Sequence, residues 1–139
     1  YAFGQHSGVI DETKDFYELP RYPINEKYGE IKRFKSILQT LPFPYESITP
    51  KNRYINKDNN PPKVKIKFFD NLINVKNINC YSNEGNIWNK SKIKFLNNNE
   101  MMILLREKFK SERGRINCSL WEEGGKWRWL GIQYVIAEY

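Results

Sequence analysis

The sequence predicts a mainly β protein, an antiparallel β-sandwich over residues 63–139 preceded by a short α/β segment over 1–43. Three observations predict it. Arg113–Trp121 and Trp127–Ile136 are rich in β-branched and aromatic residues and flank the polar break Glu122-Glu123-Gly124-Gly125-Lys126, the pattern of a β-hairpin. From Lys63 onward, short apolar alternations are separated by turn clusters at the spacing of a sandwich. One stretch alone, Lys27 to Gln39, has clear helical spacing.

Taken in order, Tyr1-Ala2-Phe3 reads as a short strand broken by Gly4 and followed by Gln5-His6-Ser7-Gly8. A strand ending in small polar residues beside glycine can present a site, although ordinary turn chemistry is the commoner meaning. Phe16-Tyr17-Glu18-Leu19 is a second short strand stopped by Pro20, and Arg21 to Asn25 is extended ahead of and around Pro23. Ile31, Phe34, Ile37, Leu38 and Leu41 then fall at offsets of three and four, with Asn25 as N-cap and Pro42 and Pro44 as the stop. Residues 44–62, with their prolines, asparagines and charges, read as a linker and the domain boundary.

Beyond the linker Val64, Ile66 and Phe68 alternate with lysines, and Val75, Ile78 and Cys80 follow as a strand with room for a bulge. Ile87-Trp88 and Ile93 to Phe95 supply further strands, with turns expected at Asp70-Asn71, Asn83 to Asn86 and Asn97 to Asn99. Met101 to Leu105 is ambiguous by periodicity, and its β surroundings favour a strand.

Composition narrows the function classes. At 139 residues the chain suits one domain, or a domain plus a fragment, and its 15% aromatic content supplies core volume. No apolar run approaches the ~20 residues that span a bilayer, and no secretory signal is visible. The chain begins at Tyr1 and reads as processed or cut from something longer. A net charge of +7 raises nucleic-acid binding, but Lys63, Lys65, Lys67, Lys92 and Lys94 alternate as on a solvated sheet face. Nucleic acid is therefore not the expected partner.

Cys80 and Cys118 each sit in an Ile-Asn-Cys triplet in strand-like context, so their side chains can meet across paired or stacked strands. An oxidising compartment would join them in a disulfide, and a reducing one would leave two buried thiols. Zinc is not expected, because no Cys-x-x-Cys pair is present and there is a single histidine.

Phe3-Gly4-Gln5-His6-Ser7-Gly8-Val9-Ile10, Leu19 to Asn25 and Tyr28-Gly29 resemble the C-terminal part of bacterial polysaccharide deacetylases, the NodB-like carbohydrate esterases, in the branch with an extra domain after the barrel. Ile78 to Ser82, Arg115 to Leu120 and Trp127 to Tyr134 are similar to the later parts of that branch. The resemblance implies a distorted (β/α) barrel that removes N-acetyl groups from amino sugars with a divalent metal held by one Asp and two His. Those residues lie upstream in the family, and nothing in this sequence matches its Asp-Asp or His-x-x-x-His motifs. The resemblance thus makes 1–43 the end of a barrel whose beginning is missing and 63–139 its trailing β-domain. It implies no catalytic residue, metal or cofactor within this chain. In an intact parent, cytoplasmic or periplasmic in a bacterium, His6 would lie at the mouth of a late barrel strand, to contact substrate or act as an acid. Arg21 would orient a carboxylate or bind a sugar hydroxyl. A purely structural role is as open for each, since neither maps onto the family's principal motifs.

Two functions compete. One is an accessory domain that supports the missing barrel or grips a polysaccharide or amino-sugar glycan through Trp88, Trp121, Trp127 and Trp129. The other is a stand-alone, non-catalytic glycan- or protein-binding module. Alternation puts Trp127 and Trp129 on one face, which is either core, the commoner outcome, or a stacking platform. A severed barrel edge also predicts self-association through residues 1–43.

Overall fold

The computed structural model of the chain describes residues 1–69, 74–84 and 87–137. Among the described residues nine strands form two sheets: β1 (Ser47–Thr49), β2 (Tyr54–Ile55), β3 (Val64–Lys67), β4 (Asn79–Asn83), β5 (Trp88–Lys90), β6 (Lys92–Phe95), β7 (Glu100–Leu104), β8 (Arg113–Glu122) and β9 (Lys126–Ile136). One sheet has the order β1-β3-β7-β6 and the other β2-β9-β8-β4-β5. All pairings are antiparallel except β2 with β9. The mainly β sandwich expected from the periodicity is the architecture observed, and no closed barrel is present among the described residues.

The C-terminal hairpin is the backbone of the larger sheet. β8 and β9 pair without interruption from Arg113↔Val135 to Glu122↔Lys126. Their turn needs left-handed backbone, which Gly124 (φ 89°) and Gly125 (φ 81°) supply without the steric cost a Cβ would bring. Alternation then sends Ile116, Cys118, Leu120, Leu130, Ile132, Tyr134 and Ile136 inward, where they meet Ile48, Val64, Ile66, Met101 and Ile103 of the opposing sheet in one core. Each of the Val, Leu, Ile and Met side chains among them, fully buried, contributes roughly 1.5–3 kcal/mol. Cys80 and Cys118 are directly paired in this core on β4 and β8 and are joined by a disulfide.

Several local expectations need correction. The stretch 44–62 is no loose linker, since β1 and β2 form within it and join different sheets, and Ile48 and Ile55 enter the core. Phe43, just before it, is wholly buried. The helix, α1 (Ile31–Leu38), starts later than Lys27 and has Glu30 at its N-cap. Asn25 instead closes a separate turn, its Oδ1 accepting from the backbone N–H of Lys27 (3.1 Å) and Tyr28 (3.0 Å). Val75–Asn77 is a short 3₁₀ turn rather than strand, with Asn74 capping it through Lys76 N–H. The two N-terminal strands shrink to a single parallel bridge, Phe3↔Leu19, because Gly4 and Pro20 leave no room for a longer ladder. Met101 to Leu104 is strand, as its surroundings suggested. The turn at Asp70-Asn71 lies outside the described residues, as does the Gly85-Asn86 part of the next one.

Candidate functional site

Because Ile116, Cys118 and Leu120 point inward, Arg115, Asn117, Ser119 and Trp121 must point out. The register of β9 against β8 sets Trp127 opposite Trp121 and Trp129 opposite Ser119. On β5, Trp88 is paired with Asn83, which itself pairs with Arg115. All four tryptophans of the chain therefore lie on the outer face of the five-stranded sheet. Trp121 is 52% exposed, and Trp88 and Trp127 are each 41% exposed. The core outcome for Trp127 and Trp129, the commoner one by sequence, does not occur. Trp121 and Trp127 meet edge to face, with ring centroids 4.7 Å apart, a geometry that the ring quadrupole favours.

The N-terminal segment is laid along this face and along the part of β9 that β2 leaves unpaired. Gly8 bridges to Leu130 and Leu41 to Arg128, and Leu41 N–H donates to the Trp127 carbonyl at 2.7 Å. Gly131 permits the approach, since a Cβ there would come within 2.6 Å of the backbone N and O of Ser7. The Gln5 side chain accepts from Arg113, and Arg128 is held between Glu122 (2.6 Å) and the Pro42 carbonyl (2.5 Å).

This packing leaves a groove between the segment bearing α1 and the sheet. One part, about 250 Å³, is lined by residues that include Tyr22, Ile37, Thr40, Ser119 and Trp127. The other, about 420 Å³, is lined by residues that include Gln5, His6, Tyr28, Trp88, Arg115 and Asn117. Ser7, Arg33 and Trp129 line both parts, so they are neighbours along one face. The Trp129 indole N–H is buried without a hydrogen-bond partner among the described residues, an unusual state for a buried donor. Arg115 stacks over the Trp88 ring at 5.5 Å and Arg33 over the Tyr28 ring at 5.1 Å.

Behind the groove is a compact polar cluster. Arg53 pairs with Glu18 at 3.0 Å and lies 5.6 Å over the Tyr134 ring. Lys14, only 7% exposed, pairs with Asp11 at 3.0 Å and sits 4.6 Å over the Tyr45 ring. Burial pulls the Lys14 ammonium below its usual range, against the opposing hydrogen bond and charge of Asp11. Burial pushes the Tyr45 and Tyr134 hydroxyls up to about 12. His6 joins the groove to this cluster, and burial lowers its pKa while the neighbouring Glu18 carboxylate works the other way.

Of the residues singled out in the sequence, Trp88, Trp127, Trp129 and His6 line the groove, and Trp121 touches Trp127 beside it. Arg21 donates its backbone N–H to the His6 carbonyl at 3.0 Å, but its side chain is exposed and lines neither part. Sequence reading missed Arg33, Arg115, Asn117 and Tyr28. The parity of β8 carried the signal for two of them, since Arg115 and Asn117 alternate with inward-facing Ile116 and Cys118. Among the described residues no three His, Cys, Asp or Glu side chains cluster as metal ligands. The groove offers flat aromatic faces, guanidinium and amide donors, and an unpaired indole N–H. No protein-family model matches the chain, and no curated protein or solved structure matches it either.

Proposed function

We propose that this chain is a non-catalytic glycan-binding module, acting as the accessory β-domain of a larger polysaccharide deacetylase-like protein. One observation carries the reading: four tryptophans share the outer face of one sheet, two of them in the wall of the larger part of a groove that also holds amide and guanidinium donors. Leaving such large apolar rings on a surface forgoes the gain of burying them, so a contiguous set of them marks a contact site. Sugar rings present apolar C–H faces edged by hydroxyls, and indoles flanked by hydrogen-bonding groups complement both features. The groove's size is in the range of small-ligand sites, about 300–1,000 Å³.

Calorimetry against chitin- and glucosamine-type oligosaccharides tests this. Saturable binding is expected, and Trp127→Ala should weaken it by about tenfold, the equivalent of about 1.4 kcal/mol. Lys65→Ala, on the exposed face of the other sheet, should leave it unchanged. Absence of heat with every sugar would move the chain to a purely supporting role.

Support of a barrel is the second reading, and α1 favours it. Its apolar stripe is covered only in part by the described residues: Ile31 is 70% and Leu38 68% exposed. The helix thus presents a docking face for the remainder of the parent or, when that is missing, for a second copy.

A further inference from the structure

We propose that the groove selects acidic glycans, with Arg33 and Arg115 as the paired recognition groups for a carboxylate or phosphate on the sugar. The inference rests on the glycan reading above and adds the charge of the ligand. Both arginines line the 420 Å³ part, and no Asp or Glu is among its lining residues. Arg53, Arg128 and Arg113 are already committed, to Glu18, Glu122 and Gln5 respectively. Neither Arg33 nor Arg115 forms a salt bridge among the described residues. Among the described residues Arg33 makes two long hydrogen bonds, both from Nη1 at 3.4 Å, to the Pro23 and Tyr28 carbonyls.

The stacking of each guanidinium on an aromatic ring holds it in place before a ligand arrives, which lowers the entropy lost on binding. A planar guanidinium matches the two oxygens of a carboxylate or phosphate with paired N–H donors. The unpaired Trp129 indole N–H and the Asn117 amide add neutral donors to the same wall. A wall this rich in donors and free of carboxylates complements an anion better than a neutral sugar. Aromatics beside arginines also suit single-stranded nucleic acid. However, the exposed lysines of β3 and β6 lie on the other sheet, away from the tryptophans, so their charge adds nothing to the groove.

The test is calorimetry of the full chain at low and high salt with four probes: neutral chitotetraose, an oligogalacturonide, a 6-phosphorylated glucosamine oligomer and a thymidine oligonucleotide. At least one acidic sugar should bind about tenfold more tightly than chitotetraose, a preference that shrinks with salt. Arg115→Gln and Arg33→Gln, each checked for an unchanged melting temperature, should each remove most of that preference. Chitotetraose binding should fall several-fold less than acidic-sugar binding in both variants. Equal affinity for neutral and acidic sugars would overturn the charge selection while leaving the glycan platform standing. Loss of both affinities in the arginine variants would overturn it too, since the arginines would then serve the platform in general. Tighter binding of the oligonucleotide than of any sugar would replace a glycan by nucleic acid, and failure of every sugar to bind would sink platform and selection together.

Discussion

His6 shows how a residue singled out for chemistry becomes a stability determinant once its surroundings are known. Burial favours its neutral form, so its folded pKa lies below the ordinary value of 6.5. In the window between the two values the unfolded chain binds more protons, and stability rises with pH. The contribution is therefore complete above 6.5 and is lost as pH falls through that value toward the lowered one. Thermal melts on the acid side of neutrality should show a falling melting temperature, and His6→Gln should flatten that slope. A slope unchanged by His6→Gln would assign the pH dependence to another group. Gly131 is a second single-residue determinant. Gly131→Ala puts a methyl against the Ser7 backbone, which overpacking data place at about 1–3 kcal/mol. Hydrogen exchange should show residues 1–43 loosened while β8 and β9 stay protected, and uniform loosening would contradict this local account.

At the scale of elements, the disulfide ties β4 to β8 across a separation of 38 residues. Closing a loop of that length in the unfolded chain is worth on the order of 3–4 kcal/mol in the entropic description. The double variant Cys80→Ala, Cys118→Ala should therefore lower the urea midpoint substantially, and reduced wild type should follow it. A stability loss, from midpoint and m value, below about 1 kcal/mol would mean that the core holds the two strands together without the bond. The hairpin was legible because β8 and β9 are long enough for alternation to repeat many times. Its parity also put Trp127 and Trp129 on one face, but alternation alone left that face as core or platform with core the commoner, and the structure puts it outside. β1 and β2 were not legible, because strands of three and two residues leave no periodicity to read and owe their state to distant partners, Lys65–Lys67 and Val135–Ile136. The start of α1 was misread because Asn25 is as good a turn former as an N-cap, and Gly29 follows it.

For the whole molecule, the sandwich follows from alternation, whereas the order of its strands and the seating of residues 1–43 on the outer face do not. That seating depends on isolated bridges and on one close approach at Gly131, none of which leaves a periodic trace in the sequence. It is also what turns a row of surface tryptophans into a groove. The exposed stripe of α1 gives a further expectation at this scale. Light scattering should show concentration-dependent self-association of the chain, and Ile31→Glu with Leu38→Glu should return it to monomer; a monomer at all concentrations would leave α1 without that role.

The most direct test of the account is a nitrogen–proton correlation spectrum of the indole region during titration with the best-binding oligosaccharide. Four indole signals, each assigned by a Trp→Phe substitution, report on the one sheet face that carries them. The account predicts that Trp129 and Trp88 shift most, with Trp127 following, while backbone signals of β3 and β6 stay in place. Saturable binding that moves β3 and β6 and leaves all four indoles unshifted would put the ligand on the opposite sheet and contradict the proposed site.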